Sequence, residues 1–132
     1  MNIELMRQSL YASKKRAYLR HLANLKEKCF CVNERLQNIR VNNRKLNCLR
    51  WHNNESKKHI IKKLDICIEL KQLNHEFITE AIFVNNSRAD VVDLTTGEIY
   101  EILCSESEEN FEEKIKNYPK DFRVIKIRVK NI

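Results

Sequence analysis

One glycine and one proline are all that 132 residues contain. That scarcity excludes the Gly-rich loops that cradle phosphates, and with them ATP hydrolysis and nucleotide-cofactor chemistry. A Ser-His-Asp nucleophile elbow is also missing, so ester hydrolysis is set aside. Long flexible linkers have no material to form from. No stretch approaches the roughly 18 uninterrupted apolar residues of a membrane span. The opening Met1-Asn2-Ile3-Glu4 lacks the basic-then-apolar pattern of a signal peptide, so an intracellular protein is expected, in the cytoplasm or, for a virus or mobile element, the host cytoplasm. Five cysteines, an odd number, come without an extracellular signal. Cys67 and Cys104 sit in periodic apolar segments and read as buried small hydrophobes. Cys29-x-Cys31 with Cys48 and His52 has a one-residue spacer, unlike the two to four residues usual in zinc sites.

Present in excess is positive charge, and it is unevenly placed. Residues 1–74 carry 17 Lys/Arg against 6 Asp/Glu, a net +11, whereas residues 75–132 carry 8 against 12, a net −4. A basic half attracts polyanions and an acidic half concentrates carboxylates. Lys-rich helix faces are also common on any soluble protein, so the field alone assigns nothing.

The apolar residues Ile3, Met6, Leu10, Tyr18, Leu22, Leu25 and Cys29 recur mostly at steps of three and four, predicting a long amphipathic helix. Its polar face carries Lys14, Lys15, Arg16 and Arg20, suited to nucleic-acid phosphates, while its apolar stripe suits the core or a second subunit. Leu36, Ile39, Leu46 and Leu49 allow a second helix broken near 41–43, with Arg44, Lys45 and Arg50 keeping the segment basic. Residues 51–54 read as a loop. Ser56 caps a helix to about Leu73, with Ile60, Ile61, Leu64, Ile68 and Leu73 as its expected buried side. Asn74 suits a left-handed residue past its end. Three strands follow in a meander, 77–84, 88–94 and 98–104, then a helix capped by Ser107 and stopped by Pro119, then a strand at 123–129. A helical crossover between the third and fourth strands implies a parallel pair in a mixed sheet.

One constellation carries chemistry. Arg88-Ala89-Asp90-Val91-Val92-Asp93 and Glu101-Ile102-Leu103 place an aspartate and a glutamate on neighbouring strands joined by the turn Thr95-Thr96-Gly97. Such a pair can hold a hard divalent cation through oxygen ligands. Asp90 starts an apolar strand, where a carboxylate is costly without a cation or donor, and Arg88 is the alternative donor. Asp93 and Glu98 read as surface charges, and His21, His59 and His75 as ordinary surface or core histidines.

Over roughly residues 56–129 this order and these motifs resemble the PD-(D/E)XK nuclease superfamily, which includes type II restriction enzymes and Holliday-junction resolvases. The resemblance implies an α/β fold with a restriction endonuclease-like αβββαβ core in residues 55–132, preceded here by a basic helical arm in residues 1–54. It implies Mg²⁺ or Mn²⁺ held by Asp90, Glu101 and the Ile102 carbonyl, with Glu80 or Glu69 as an added upstream glutamate. The family's lysine two after the glutamate is replaced by Leu103, an apolar side chain that cannot orient the attacking water. Lys114 is the leading substitute, with Lys126, Lys58 and Lys62 as further candidates. The expected function is a metal-dependent DNA endonuclease, acting as a homodimer. The alternatives are a catalytically silent DNA-binding or regulatory protein on the same scaffold, and a helical protein–protein adaptor.

Overall fold

A computed structural model describes residues 2–104 and 107–129. Its elements run α1 (Ile3–Leu36), a single 3-10 turn at Val41–Asn43, α2 (Lys57–Gln72), β1 (Phe77–Ile82), β2 (Arg88–Asp93), β3 (Glu98–Leu103), α3 (Glu108–Ile115) and β4 (Arg123–Arg128). The strands form one sheet in the order β1-β2-β3-β4. The first two pairings are antiparallel and β3–β4 is parallel, as the α3 crossover requires. The protein is a mixed α/β fold. No helix of the described residues is long and apolar enough to cross a membrane.

The chain divides into two compact units, Met1–Cys31 and Val32–Ile132. The arm expected over 1–54 therefore shortens, because residues 32–54 supply core to the α/β unit. Val32 and Ile39 are buried in it, and Leu36 and Leu46 pack against it. The second helix expected after Val32 does not form. Instead α1 continues to Leu36, and the chain then runs along the edge of the sheet. Ile39 bridges Phe83, the Arg40 N–H donates to Ile82 O at 2.9 Å, and Asn43 Oδ1 accepts from the Ile82 N–H at 2.9 Å. These bonds satisfy edge backbone groups that a helix would have left open. In the first unit, Leu5, Met6, Leu10, Tyr11, Tyr18 and Leu19 are exposed.

Cross-strand packing explains the α/β unit. Ile78, Val92 and Ile99 stand in one row across β1, β2 and β3 and join Phe83, Leu94, Tyr118 and Phe122 in one core cluster. Phe77 and Val91, each next to a member of that row, and Ile102, three residues beyond Ile99, point to the other face, under Ile66, Cys67 and Leu70 of α2. The buried side of α2 is thus Lys63, Ile66, Cys67 and Leu70, not the stripe expected from the sequence. Ile61, Leu64, Ile68 and Leu73 are exposed. Full burial of an aliphatic side chain contributes about 1.5–3 kcal/mol. A stripe with four such residues lost to one with a lysine in its centre, so the partners of that lysine must compensate.

Ser56 and Ser107 cap α2 and α3 as expected, accepting from the His59 and Asn110 N–H groups. Asn74 (φ +59°) and Asn86 (φ +74°) take left-handed positions at the end of α2 and in the β1–β2 turn.

Candidate functional site

Strand alternation breaks at one place. Ile78 and Ala81 share one cluster, as do Ala89 and Val92, although residues three apart in a strand normally face opposite ways. The cause lies at Glu80, whose φ of +50° is left-handed. Such a conformation in a non-glycine residue costs about 1–3 kcal/mol and concentrates at functional sites. The β1–β2 register pairs Thr79 with Val91 and Ala81 with Ala89, so Glu80 and Asp90 stand opposite each other inside the irregularity. Continued by one residue, the β2–β3 register places Asp90 opposite Glu101. One transverse line through the sheet therefore carries three carboxylates.

On the α2 side lies a polar network. Lys63 is 0 % exposed. Its ammonium donates to Arg50 O at 3.0 Å, to Glu55 Oε1 at 2.8 Å and Oε2 at 3.0 Å, and to Glu80 Oε1. His59 bridges Glu55 Oε2, 2.8 Å from Nδ1, and Asp90 Oδ2, 3.4 Å from Nε2. The bond to Asp90 outweighs partial burial and raises His59 to about 9, so the ring is a cation at neutral pH and both nitrogens donate. Burial alone would push Glu55 up, but hydrogen bonds from Lys63, Glu80 and His59 hold its carboxyl at about 2. Glu80 moves upward, chiefly through burial, with Lys63 opposing.

On the α3 side, Glu101 is fully buried. Its Oε2 accepts from Lys114 Nζ at 2.9 Å, and its Oε1 lies 2.5 Å from the Tyr118 hydroxyl and 3.3 Å from the Asp90 N–H. Burial raises its pKa first and the Asp90 charge second, while Lys114 and Tyr118 pull it down. The Ile102 N–H donates to Asp90 Oδ2 at 2.8 Å. Asp90 thus joins the two sides. Its side chain is 15 % exposed, and no hydrogen bond falls on Oδ1 among the described residues.

A cavity of about 370 Å³ opens here, lined by His52, Asn54, Glu55, Ser56, His59, Asp90, Cys104 and Lys114. Of the candidate catalytic residues, Asp90 and Lys114 line it, and Glu101 is bonded to Lys114. Ile102 is tied to Asp90 by its N–H. Glu80 lies on the same line but is bonded to Lys63. Leu103 is buried. Lys126 is diverted to Glu108, Lys58 and Glu69 are exposed, and Arg88, also exposed, is not among the partners of Asp90. Lys14, Lys15, Arg16, Arg20 and Lys45 are exposed, whereas half-buried Arg44 donates to Ile39 O at 3.0 Å.

His59 has the satisfied role expected of it, with Glu55 and Asp90 as partners, and it also lines the cavity. One expectation needs correction. Asp93 is no surface charge: it is buried, and accepts from the Thr95 and Thr96 N–H groups and from His75. Glu55 and Lys63 were missed as well. Their signal was spacing, since 59 and 63 fall on one side of a capped helix and Glu55 stands four residues before His59, just ahead of the cap. Lys63 also interrupts the run Ile60, Cys67, Leu70, and a lysine in an apolar stripe requires a carboxylate.

His52, Glu55 and Glu80 offer ligand atoms within 4.8 Å of one another. Lys63 already binds both carboxylates there, so the ammonium is the cation this trio holds. Asp90 differs, because it lines the cavity and no hydrogen bond falls on its Oδ1, a hard oxygen donor, among the described residues. All five cysteines are free thiols.

Comparison with family models, with curated proteins and with solved structures gives no match for the chain.

Proposed function

We propose that the protein is a metal-dependent DNA endonuclease built on a restriction endonuclease-like core, with Asp90, Glu101 and Lys114 at its reaction centre. The observation that carries this reading is the shared cavity of Asp90 and Lys114, with Glu101 bonded to that lysine. A lysine beside the second carboxylate is what the chemistry asks for, and Lys114 comes from α3 where Leu103 leaves the strand position apolar. Asp90 Oδ1, Glu101 Oε2 and the Ile102 carbonyl would hold Mg²⁺ or Mn²⁺. When bound, the metal supplies Lewis acidity for the phosphate and a lowered pKa for the attacking water.

The residues of the chain do the rest. Lys114 lines the cavity beside Glu101, and its ammonium would orient water or neutralise phosphate charge there. Cationic His59 fixes the Asp90 carboxylate and adds positive charge where a phosphodiester would lie. Lys63 holds Glu80 and Glu55 in place as a positioning residue. The exposed cations of α1 and the 40–63 segment supply salt-dependent, sequence-independent affinity for the DNA backbone. The exposed apolar residues of α1 form the seam of a homodimer, which sedimentation or light scattering tests directly.

A second reading has a specific observation in its favour. Both oxygens of Glu101 are already bonded and Leu103 is apolar, as expected of a silent scaffold that binds DNA without cutting it. Incubation of supercoiled, linear and four-way-junction DNA with Mn²⁺ separates the two. Cleavage that disappears in Asp90→Ala supports the enzyme. Salt-dependent binding without cleavage supports the silent scaffold, and absence of DNA binding at low salt removes both.

A further inference from the structure

The nuclease reading leaves the form of the DNA open, and the only tryptophan bears on it. Trp51 is 56 % exposed. An indole is the largest apolar side chain, and here it presents its face to solvent from a short, anchored loop. Both flanks of Trp51 are fixed. The Arg50 N–H donates to Thr79 Oγ1 at 2.8 Å, and Arg50 O accepts from the buried Lys63 ammonium at 3.0 Å. On the other side, the His52 N–H donates to Glu55 Oε1 at 3.3 Å, and the Glu55 N–H returns to His52 O at 3.1 Å. The residues that hold this loop are therefore those of the polar network at the cavity.

Position and charge point the same way. Its neighbour His52 lines the cavity, as does Asn54. From Arg40 to Lys63 the chain carries eight Lys/Arg against one acid, Glu55. A preorganised aromatic surface in a basic segment beside a phosphodiester-cleaving cavity matches the chemistry of unpaired bases. An unstacked base offers a π-face to an indole while the cations follow its phosphates. A continuous duplex keeps its bases stacked internally and offers no such face. We infer that Trp51 is a stacking platform for an unpaired base at the cavity mouth, so that the preferred substrate is DNA with unpaired nucleotides: a single strand, a splayed end or a junction. This rests on the nuclease reading and narrows its substrate class.

Trp51 is the only tryptophan, so the emission of the intact protein reports on it alone. The full chain in EDTA is titrated with equal-length oligodeoxynucleotides that are single-stranded, fully paired, or paired with a forked end. The single-stranded and forked probes should quench the emission and bind more tightly than the duplex. Trp51→Ala should weaken binding of those two about tenfold or more, and of the duplex less than about twofold. Trp51→Phe should restore most of the loss. Unchanged emission on binding overturns the inference, as does an equal loss for all three probes in Trp51→Ala. An emission shift that follows protein concentration before any oligonucleotide is added also overturns it, by assigning the indole to self-association. If no probe binds, the nuclease reading falls too. If Mn²⁺-dependent cleavage and binding persist in Trp51→Ala unaltered for every probe, only the stacking role is lost.

Discussion

Two histidine–aspartate pairs tie β2 down, one from His59 inside α2 and one from His75 just past the end of that helix, and they are built for different purposes. At the far end, His75 Nδ1 lies 2.7 Å from Asp93 Oδ2, while Asp93 Oδ1 accepts from the Thr95 N–H at 2.9 Å and the Thr96 N–H at 3.3 Å. Every direction around Asp93 is filled, its side chain is 1 % exposed, and it closes the β2–β3 turn. At the near end, His59 Nε2 stands 3.4 Å from Asp90 Oδ2, and Asp90 lines a cavity. The same two residue types are thus a fastener where the carboxylate is saturated and a candidate reaction centre where it is not. What distinguishes them is the wrinkle at Glu80, which opens the pairing opposite Asp90 and lets the side chain turn toward α2 and the cavity.

The comparison is broken most severely by removing the cation that holds the wrinkle. Lys63→Met leaves the Glu55 and Glu80 carboxylates together with no ammonium between them. Breaking a buried ion network by deleting one partner costs about 3–5 kcal/mol. Urea denaturation should show that loss, and a change below about 1 kcal/mol would show that Lys63 is dispensable to the near end.

Next in size is the contrast between the two aspartates. Asp90→Ala should lower Mn²⁺-dependent cleavage by more than about 100-fold, about 2.7 kcal/mol of barrier, and should also lower stability, because the Ile102 N–H and the His59 ring lose the carboxylate that faces them. Asp93→Ala should lower stability without the loss of activity. It leaves the Thr95 and Thr96 N–H groups and the His75 ring without their partner, lowers stability by about 1–3 kcal/mol and leaves cleavage of the remaining folded protein close to wild type. Plasmid nicking beside denaturant titration reads both. Loss of activity in Asp93→Ala at full folding would make the two ends equivalent and end the distinction.

These expectations show where sequence reasoning reaches and where it stops. Ser56, Ser107, Asn74 and Gly97 mark their caps and turns through local chemistry, and the strands of the sheet are legible because their burial follows short periods. The placing of Asp90 and Glu101 on neighbouring strands was also within reach, since strand order follows the turns, whereas Lys114 came from the family resemblance as one of four lysines, and its bond to Glu101 is what the fold adds. The orientation of α2 was not. Ile61, Leu64 and Ile68 offer a good apolar stripe, and only the tertiary demand of Glu80 and Glu55 for Lys63 turns the helix away from it. The fate of residues 32–54 was equally hidden, because their helical period loses to backbone pairing along β1, a non-local term. Asp93 looked like an exposed charge beside a turn because its partner, His75, lies eighteen residues away.

A pH titration sharpens the contrast from another side. His59 is raised from 6.5 to about 9, so its contribution to stability is fully present below about pH 6.5 and is lost as pH rises through 9. Glu55 is lowered from 4.5 to about 2, so its contribution is present above about pH 4.5 and is lost as pH falls through 2. Both act together between about pH 4.5 and 6.5, where the near end should be most stable. His59→Gln should remove the decline on the alkaline side in thermal melts recorded from pH 6 to 10. A decline that persists unchanged would assign it to other groups.

The smallest effect belongs to the fastened end alone. Gly97 has φ +79°, its N–H donates to Asp93 O at 2.8 Å, and its carbonyl accepts from the Arg123 N–H at 2.9 Å. An alanine there adopts a left-handed conformation that costs about 1–2 kcal/mol. Its Cβ would also come 2.8 Å from Arg35 Nε. Arg35 has limited freedom to withdraw, because its Nη1 donates to Leu94 O at 2.8 Å and Thr95 O at 2.7 Å. Gly97→Ala should therefore lower stability by about 2 kcal/mol, and Gly97→Asn by less, since asparagine tolerates the left-handed region better. Neither should change cleavage per folded molecule, because the strain stays at the Asp93 end of β2. A fall in cleavage at full folding would instead mean that the turn and the cavity are mechanically coupled along the strand that carries both aspartates.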